Sequence, residues 1–460
     1  MIKILKKISG TETALIALLA LLFMVWPVPH TATARDSLLL LGLLAAGVWC
    51  YRAGAPVPWW RELRPAMFLF AAFIAWVLFV AIVVSSETAW SLSETSSQWG
   101  RAFVALATGA CAAVVLRAGP GAPWPFLILL LPLLIHICAV DVSTTLRWDD
   151  GDMGYRRVAG LTEEVDKASY LSNMLLALLM AEALARVVWR RKFLPGSHWL
   201  LGAVTIATAV TLYAEGARNA VAVAAVMLAC WFALWLSATR GRAKNSWKRS
   251  LVTGAAVVSV IGVLILAFST NPGNGLGMRR TLETIPIAFD TVGHKTWLDE
   301  GKYPRPTLSD GSNVDFSAYL RVAWFKEGLI LTSEHPFGVG FGRNAFGHGI
   351  LAKYGESKSH SHSSFIDILV GVGIPGMALW FLFLGSLAWV GLKGFQKSGN
   401  TYGLALFFVV VDFGTRMMID SNVRDHMLQM FMFAAGLLAV AATRPATPPV
   451  LPASANPDRR

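Results

Sequence analysis

Residues 334–382 read EHPFGVGFGRNAFGHGILAKYGESKSHSHSSFIDILVGVGIPGMALWFL, and this stretch decides the fold. Its first part is polar, broken by glycine, and carries His335, His348, His360 and His362. From Phe365 it turns apolar and continues past Pro375-Gly376 at a length suited to a helix. A polar segment that runs directly into an apolar helix delivers polar chemistry to the surface of a membrane.

Working outward, the 460 residues are 55% hydrophobic and 15% charged, far too apolar for a soluble chain of this length. A net charge of +12 is compatible with nucleic-acid binding, but the Lys and Arg sit in short loops between apolar runs. That pattern reports membrane topology, so no nucleic-acid partner is expected. Cys50, Cys111, Cys138 and Cys230 all lie in or beside apolar runs and form neither a disulfide framework nor a thiolate metal motif.

Apolar runs long enough for a hydrocarbon core of ~30 Å centre on 12–28, 36–51, 65–84, 101–117, 123–140, 168–187, 199–213, 219–238, 251–269, 373–391, 402–419 and 426–443. The expectation is an all-α, polytopic integral membrane protein of about twelve transmembrane helices. The first run follows MIKILKK, and no small-residue cleavage site follows Trp26–Pro29, so it reads as an uncleaved span. Arg52/Arg61/Arg64, Arg186/Arg190/Arg191/Lys192, Arg240/Arg242/Lys244/Lys248/Arg249 and Lys393/Lys397 fall on one face with Lys3, Lys6 and Lys7. That face is expected to be cytoplasmic, with both termini on it. The organisation expected is spans 1–9 in 1–269, a large, partly helical outside loop in 270–362, spans 10–12 in 363–444, and a Pro/Ala-rich cytoplasmic tail in 445–460.

Within the loop, Phe316, Tyr319, Leu320, Ala323, Trp324, Leu329 and Ile330 predict an amphipathic helix of about 314–333, near the membrane surface, behind a start signal at Ser309/Asp310/Ser312. Pro336, Gly338, Gly340 and Gly342 then force a turn. Ser359 or Ser361 is expected to cap the following helix.

Several of these pieces together resemble the O-antigen ligase and polymerase superfamily of bacterial inner-membrane proteins. They are Pro336-Phe-Gly-Val-Gly-Phe-Gly342, His362-Ser-Ser-Phe-Ile366, Gly371-Val-Gly-Ile-Pro-Gly376, Arg321-Val-Ala-Trp324, Arg157-Val-Ala-Gly160 and Glu215-Gly-Ala-Arg218-Asn219. The likeness touches about 155–380, with Ser363 where the family often has Asn and Ala217 where it often has a hydroxyl residue. It implies an architecture like that of the C-type glycosyltransferases, with the active site facing the periplasm. It also implies a glycan donor on undecaprenyl diphosphate and a lipid A-core acceptor. Neither cofactor nor metal is implied, because a lipid-linked donor needs no nucleotide; oligomeric state is left open.

On this resemblance Arg218 and Arg321 hold the departing diphosphate, since a guanidinium donates bidentately to phosphate and stays charged. His362 accepts or orients the proton of the acceptor hydroxyl. Arg156, Arg157, Arg279, Arg280, His360, Gly338, Gly340 and Gly342 are expected to contact substrate. The plain structural reading stands beside each: a snorkelling arginine, a satisfied interfacial histidine, a solvated charge. His348, His360 and His362 lack the spacing of a helical metal site. Asp412, Arg416 and Asp420 share a face of the eleventh run, either as functional charges or as an internally paired stripe. Asp367 and Glu215 are alternative bases. The resemblance favours a ligase; an O-antigen polymerase, a protein O-oligosaccharyltransferase and, from another class, a transporter are the alternatives.

Overall fold

The computed structural model describes residues 9–52, 59–116, 123–149, 158–190, 192–194, 196–239, 254, 262, 278–356, 358–424 and 426–443. Its order is α1 (Gly10–Val25), α2 (Ala32–Arg52), α3 (Trp59–Phe79), α4 (Thr88–Glu94), α5 (Gly100–Val115), α6 (Trp124–Asp149), α7 (Val165–Trp189), α8 (His198–Glu215), α9 (Arg218–Thr239), α10 (Met278–Phe289), α11 (Phe316–Glu334), α12 (Ala345–Tyr354), α13 (Ser364–Ser398), α14 (Thr401–Ile419) and α15 (His426–Thr443). A π-helical stretch, Val80–Val84, extends α3, and another, Thr95–Trp99, joins α4 to α5. Among the described residues the only β feature is a bridge between Thr307 and Asn313.

Nine helices among the described residues are long and apolar enough to span a membrane. They account for nine of the twelve expected runs. α1 has 16 residues, about 24 Å of helix. α8, bounded by His198 and Glu215, is not among the nine. The run 251–269 lies outside the described residues except for Gly254 and Gly262, as does the tail from 444.

α15 and α7 are the most enclosed spans. α15 lies against α5 so closely that a Cβ on Gly109 would strike the Phe433 carbonyl, and one on Gly436 the Leu106 carbonyl. Small residues permit this approach where lipid removes the hydrophobic drive between helices. A Lys393–Glu62 ion pair of 3.3 Å puts the far end of α13 beside the start of α3.

Residues 288–350 build a second core with the start of α13, around Trp297, Tyr319, Trp324, Phe346 and Ile366. The predicted loop helix is α11, but its cap is not in the Ser309–Ser312 signal. Those residues belong to a turn closed by the Thr307–Asn313 bridge, and the Asp315 carboxylate accepts from the Ala318 N–H at 3.3 Å. Likewise α13 is capped by Ser363 rather than Ser359 or Ser361. Ser361 turns instead to Asp367, donating to Oδ1 from both its N–H and its hydroxyl at 3.0 Å.

The two glycine motifs form one unit. Pro375 has no N–H for the Gly371 carbonyl, and Gly373, at φ 70°, breaks α13. The released groups bond to the facing loop: Val339 N–H to the Val370 carbonyl at 3.0 Å, Gly340 N–H to the Gly371 carbonyl at 3.2 Å, and Ile374 N–H to the Pro336 carbonyl at 2.9 Å. Trp76 Nε1 donates to the Val372 carbonyl at 2.8 Å. A broken membrane helix is tolerated when its polar groups are satisfied in this way.

Candidate active site

His362 sits one residue before the Ser363 cap, with φ 56°, in the left-handed region that favours glycine. Serines on both sides impose that conformation. Ser361 Oγ accepts from the Ser363 N–H at 3.1 Å, and Ser363 Oγ donates to the Met418 carbonyl at 3.1 Å. The Ser364 N–H donates to the Asp420 carbonyl at 2.9 Å, and Ser364 Oγ accepts from the Val423 N–H at 3.0 Å. The histidine is thereby fixed to the α14–α15 connection. Its ring stacks on Trp324 of α11, centroids 5.5 Å apart and planes 14° from parallel. The His360 ring lies 4.2 Å away.

Burial lowers the His362 pKa, and the nearby Arg321 and Arg424 guanidiniums add to the effect. The Asp166 carboxylate opposes them without reversing it. The imidazole is therefore neutral near pH 7 and able to accept a proton.

The two arginines share a feature that bears directly on function. Arg321 Nη1 donates to Asn219 Oδ1 at 3.0 Å, and Arg424 Nη2 donates to Asn344 Oδ1 at 3.2 Å. An amide carbonyl orients a guanidinium without neutralising it. Among the described residues neither arginine has a carboxylate at ion-pair distance. Their charge stays available to an anion, in a half-buried setting where it is screened less than in water.

Arg218 is placed nearby but differently. Its Nη1 lies 2.6 Å from Asp315 Oδ2 and 2.9 Å from Thr281 Oγ1. Burial raises the Asp315 pKa, but the Arg218 and Thr281 hydrogen bonds outweigh it and hold the carboxyl below its ordinary range. Asp315 and Arg321 are six positions apart on α11, roughly 9 Å of rise. Arg218 and Arg321 thus meet the same helix, with Asn219 linking α9 to the second of them.

Of the other expected contacts, Arg156 and Arg157 lie outside the described residues. Arg279 is exposed and pairs with Glu283 at 2.7 Å, which raises its pKa; Arg280, half-buried, follows it on α10. Gly338 faces the break in α13, where a Cβ would strike the Gly371 carbonyl. Gly340 packs on Ser85 and Trp90, and Gly342 on Trp90. His348 stacks on Trp90 at 3.9 Å and lies 3.4 Å from Glu87.

Asp367 and Glu215 turn inward: Asp367 accepts from Ser361, and Glu215 accepts from the Ser172 hydroxyl at 2.7 Å. Arg416 pairs with Asp420 at 3.0 Å, donates to Ser169 Oγ at 3.2 Å and faces the Tyr170 ring. This joins α14 to α7 and supports the connection on which His362 rests. Asp166, Arg424, Asn219 and Asn344 were not among the candidates found in the sequence. The available signals were a place at the start of a membrane helix for Asp166 and Asn219, a polar turn between two spans for Arg424, and a place within the glycine-rich stretch for Asn344.

A family model described as O-antigen ligase matches residues 203–381. It covers somewhat less than half of the chain and contains Arg218, Arg321, the glycine motifs and His362, while Asp166, Asp420 and Arg424 fall outside it. The match supports the O-antigen ligase/polymerase superfamily. No curated protein matches the chain. With nine long apolar helices among the described residues, it is a multi-pass membrane protein whose family match points to a membrane glycosyltransferase.

Proposed function

We propose that the protein is an O-antigen ligase of the bacterial inner membrane, transferring a glycan from undecaprenyl diphosphate to a sugar hydroxyl of lipid A-core on the periplasmic side. One observation carries this reading: a neutral, half-buried imidazole flanked by two guanidiniums that asparagines orient without neutralising. Such a site suits a reaction in which an anion departs while a hydroxyl loses its proton.

In the step, the acceptor hydroxyl oxygen bonds to the anomeric carbon, and the bond from that carbon to the phosphate oxygen breaks. The bonding pair leaves with undecaprenyl diphosphate, and the hydroxyl proton passes to His362. Arg321 stabilises the departing charge. Arg218 joins it if the diphosphate draws its guanidinium from Asp315. His360 and Trp324 support the imidazole, and a single displacement inverts the anomeric centre. Arg279 and Arg280 on α10, together with Arg156 and Arg157, are the residues proposed to contact the acceptor.

Purified donor and purified lipid A-core, with chelator and without nucleotide, test the reading. Wild type should form the inverted product, while well-folded His362→Ala and Arg321→Ala should lose it. Extension of the donor without lipid A-core product would make the chain a polymerase, and no change to either lipid would reject the transferase reading.

A further inference from the structure

A cleft of about 810 Å³ lies between α3, α5, α13 and α15, outside the polar site. It exists because small residues face it from several helices: Ala66, Ala71, Ala107, Ala110, Gly436 and Ala439. Larger apolar side chains form its sides, including Phe70 and Phe103, whose rings stack at 6.3 Å. Along α3 it runs from Leu63 to Leu78, roughly 22 Å of helix, or most of the thickness of a hydrocarbon core. A long apolar furrow of this kind fits one hydrocarbon chain lying along the membrane normal.

One end of the cleft lies on a segment that contacts the α14–α15 connection, where Gln98 donates to the Val423 carbonyl at 3.0 Å. Thr95 and Trp99 line that end. Glu94, beside Thr95, binds Arg343 through two bonds of 2.7 and 2.9 Å. Asn344 follows Arg343 and accepts from Arg424, whose charge acts on both Glu94 and His362. The segment that closes this end of the cleft is thus joined through Arg343 and Asn344 to Arg424, which lacks a carboxylate partner at ion-pair distance among the described residues. Apolar along its length and ending on a segment joined to Arg424, the cleft complements a single-chain lipid bearing phosphate.

We infer that the cleft binds the hydrocarbon chain of a polyprenyl diphosphate, with the diphosphate emerging past Thr95 toward Arg424. The inference rests on the lipid-linked donor proposed above and adds where that lipid lies. It makes Arg424 a headgroup contact and Ala71 and Ala107 determinants of chain binding.

The test is photolabelling of the full-length protein in phosphatidylglycerol-containing nanodiscs with a polyprenyl diphosphate carrying a diazirine on its chain. No glycan transfer is needed for the readout. Label should be saturable, displaced by undecaprenyl diphosphate and map to α3 or α5. It should fall about tenfold in Ala107→Trp or Ala71→Phe, and stay unchanged in Val226→Trp on the exposed side of α9. Two substitutions of different size, each checked for monodispersity, separate cleft filling from misfolding. Saturable label on other helices, or label insensitive to both fillings, would overturn the cleft and leave the lipid-linked donor standing. Displacement by excess phosphatidylglycerol would reduce the cleft to an ordinary bilayer contact and overturn the inference. Absence of saturable label would overturn it together with the donor reading.

Discussion

Arg416 and Arg321 occupy neighbouring regions of the molecule, and their partners differ in kind. Arg416 is fully buried, tied to the Asp420 carboxylate and set against Ser169 and Tyr170. Arg321 is half-buried and held by the neutral carbonyl of Asn219, as Arg424 is held by Asn344. A buried charge with a counter-charge serves cohesion, because removing either partner strands the other. A charge fixed by an amide remains available to a ligand. The contrast teaches that formal charge does not identify a binding arginine; the partner does.

The sharpest way to break this comparison is to remove each arginine and record both stability and transfer. Arg321→Ala should lower kcat/KM by about 10²–10³-fold with little change in thermal stability. Arg321→Lys should recover only part, since an ammonium lacks the planar fork. Arg416→Ala should do the reverse, costing about 3–5 kcal/mol of stability and sparing the activity of the fraction that remains folded.

Exchanging the partner rather than the arginine sharpens the same point. Asn219→Asp and Asn344→Asp should neutralise their arginines and weaken donor binding about tenfold each, measured as a rise in KM for the lipid-linked donor. Unchanged KM in both would show that these guanidiniums do not meet the anion.

The smallest effect concerns Arg218. Asp315→Asn should cost about 1–3 kcal/mol, read by denaturation of detergent-solubilised protein. The carboxyl's folded pKa is lowered, so its contribution is present above the ordinary carboxylate range and fades as pH falls through the lower folded value. In the variant that acid-side loss should diminish.

The sequence makes the apolar scaffold legible because span length and hydropathy are local properties. Nine runs reappear as helices suited to crossing a membrane, and the loop helix forms within two residues of its expected limits. The helix caps were less legible. Ser309, Asp310, Ser312, Asp315, Ser359, Ser361 and Ser363 are all chemically competent, and tertiary contacts select among them: the Thr307–Asn313 bridge takes the first three, and Asp367 takes Ser361.

The candidate site was partly legible. His362, Arg321 and Arg218 stand in recognisable motifs, and the fold brings them to one region. Asp166 and Arg424 belong to segments far from His362 in the chain, and Asn219 and Asn344, though inside quoted stretches, acquire their roles only where they meet Arg321 and Arg424 in the fold. The glycines were legible as a turn, but not as partners of the Gly373–Pro375 break, which depends on two segments meeting.

The measurement that tests the account most directly is the pH dependence of single-turnover transfer in wild type and in His362→Gln. With its pKa lowered by burial and by Arg321 and Arg424, His362 loses its acceptor lone pair only below the ordinary histidine range of ~6.5. Wild-type transfer should therefore be flat above that pH and fall with a one-proton slope below it, while the residual rate of the variant should lack this step. A His362→Gln enzyme that kept both the wild-type rate and its acid limb would contradict the assignment of His362 as proton acceptor.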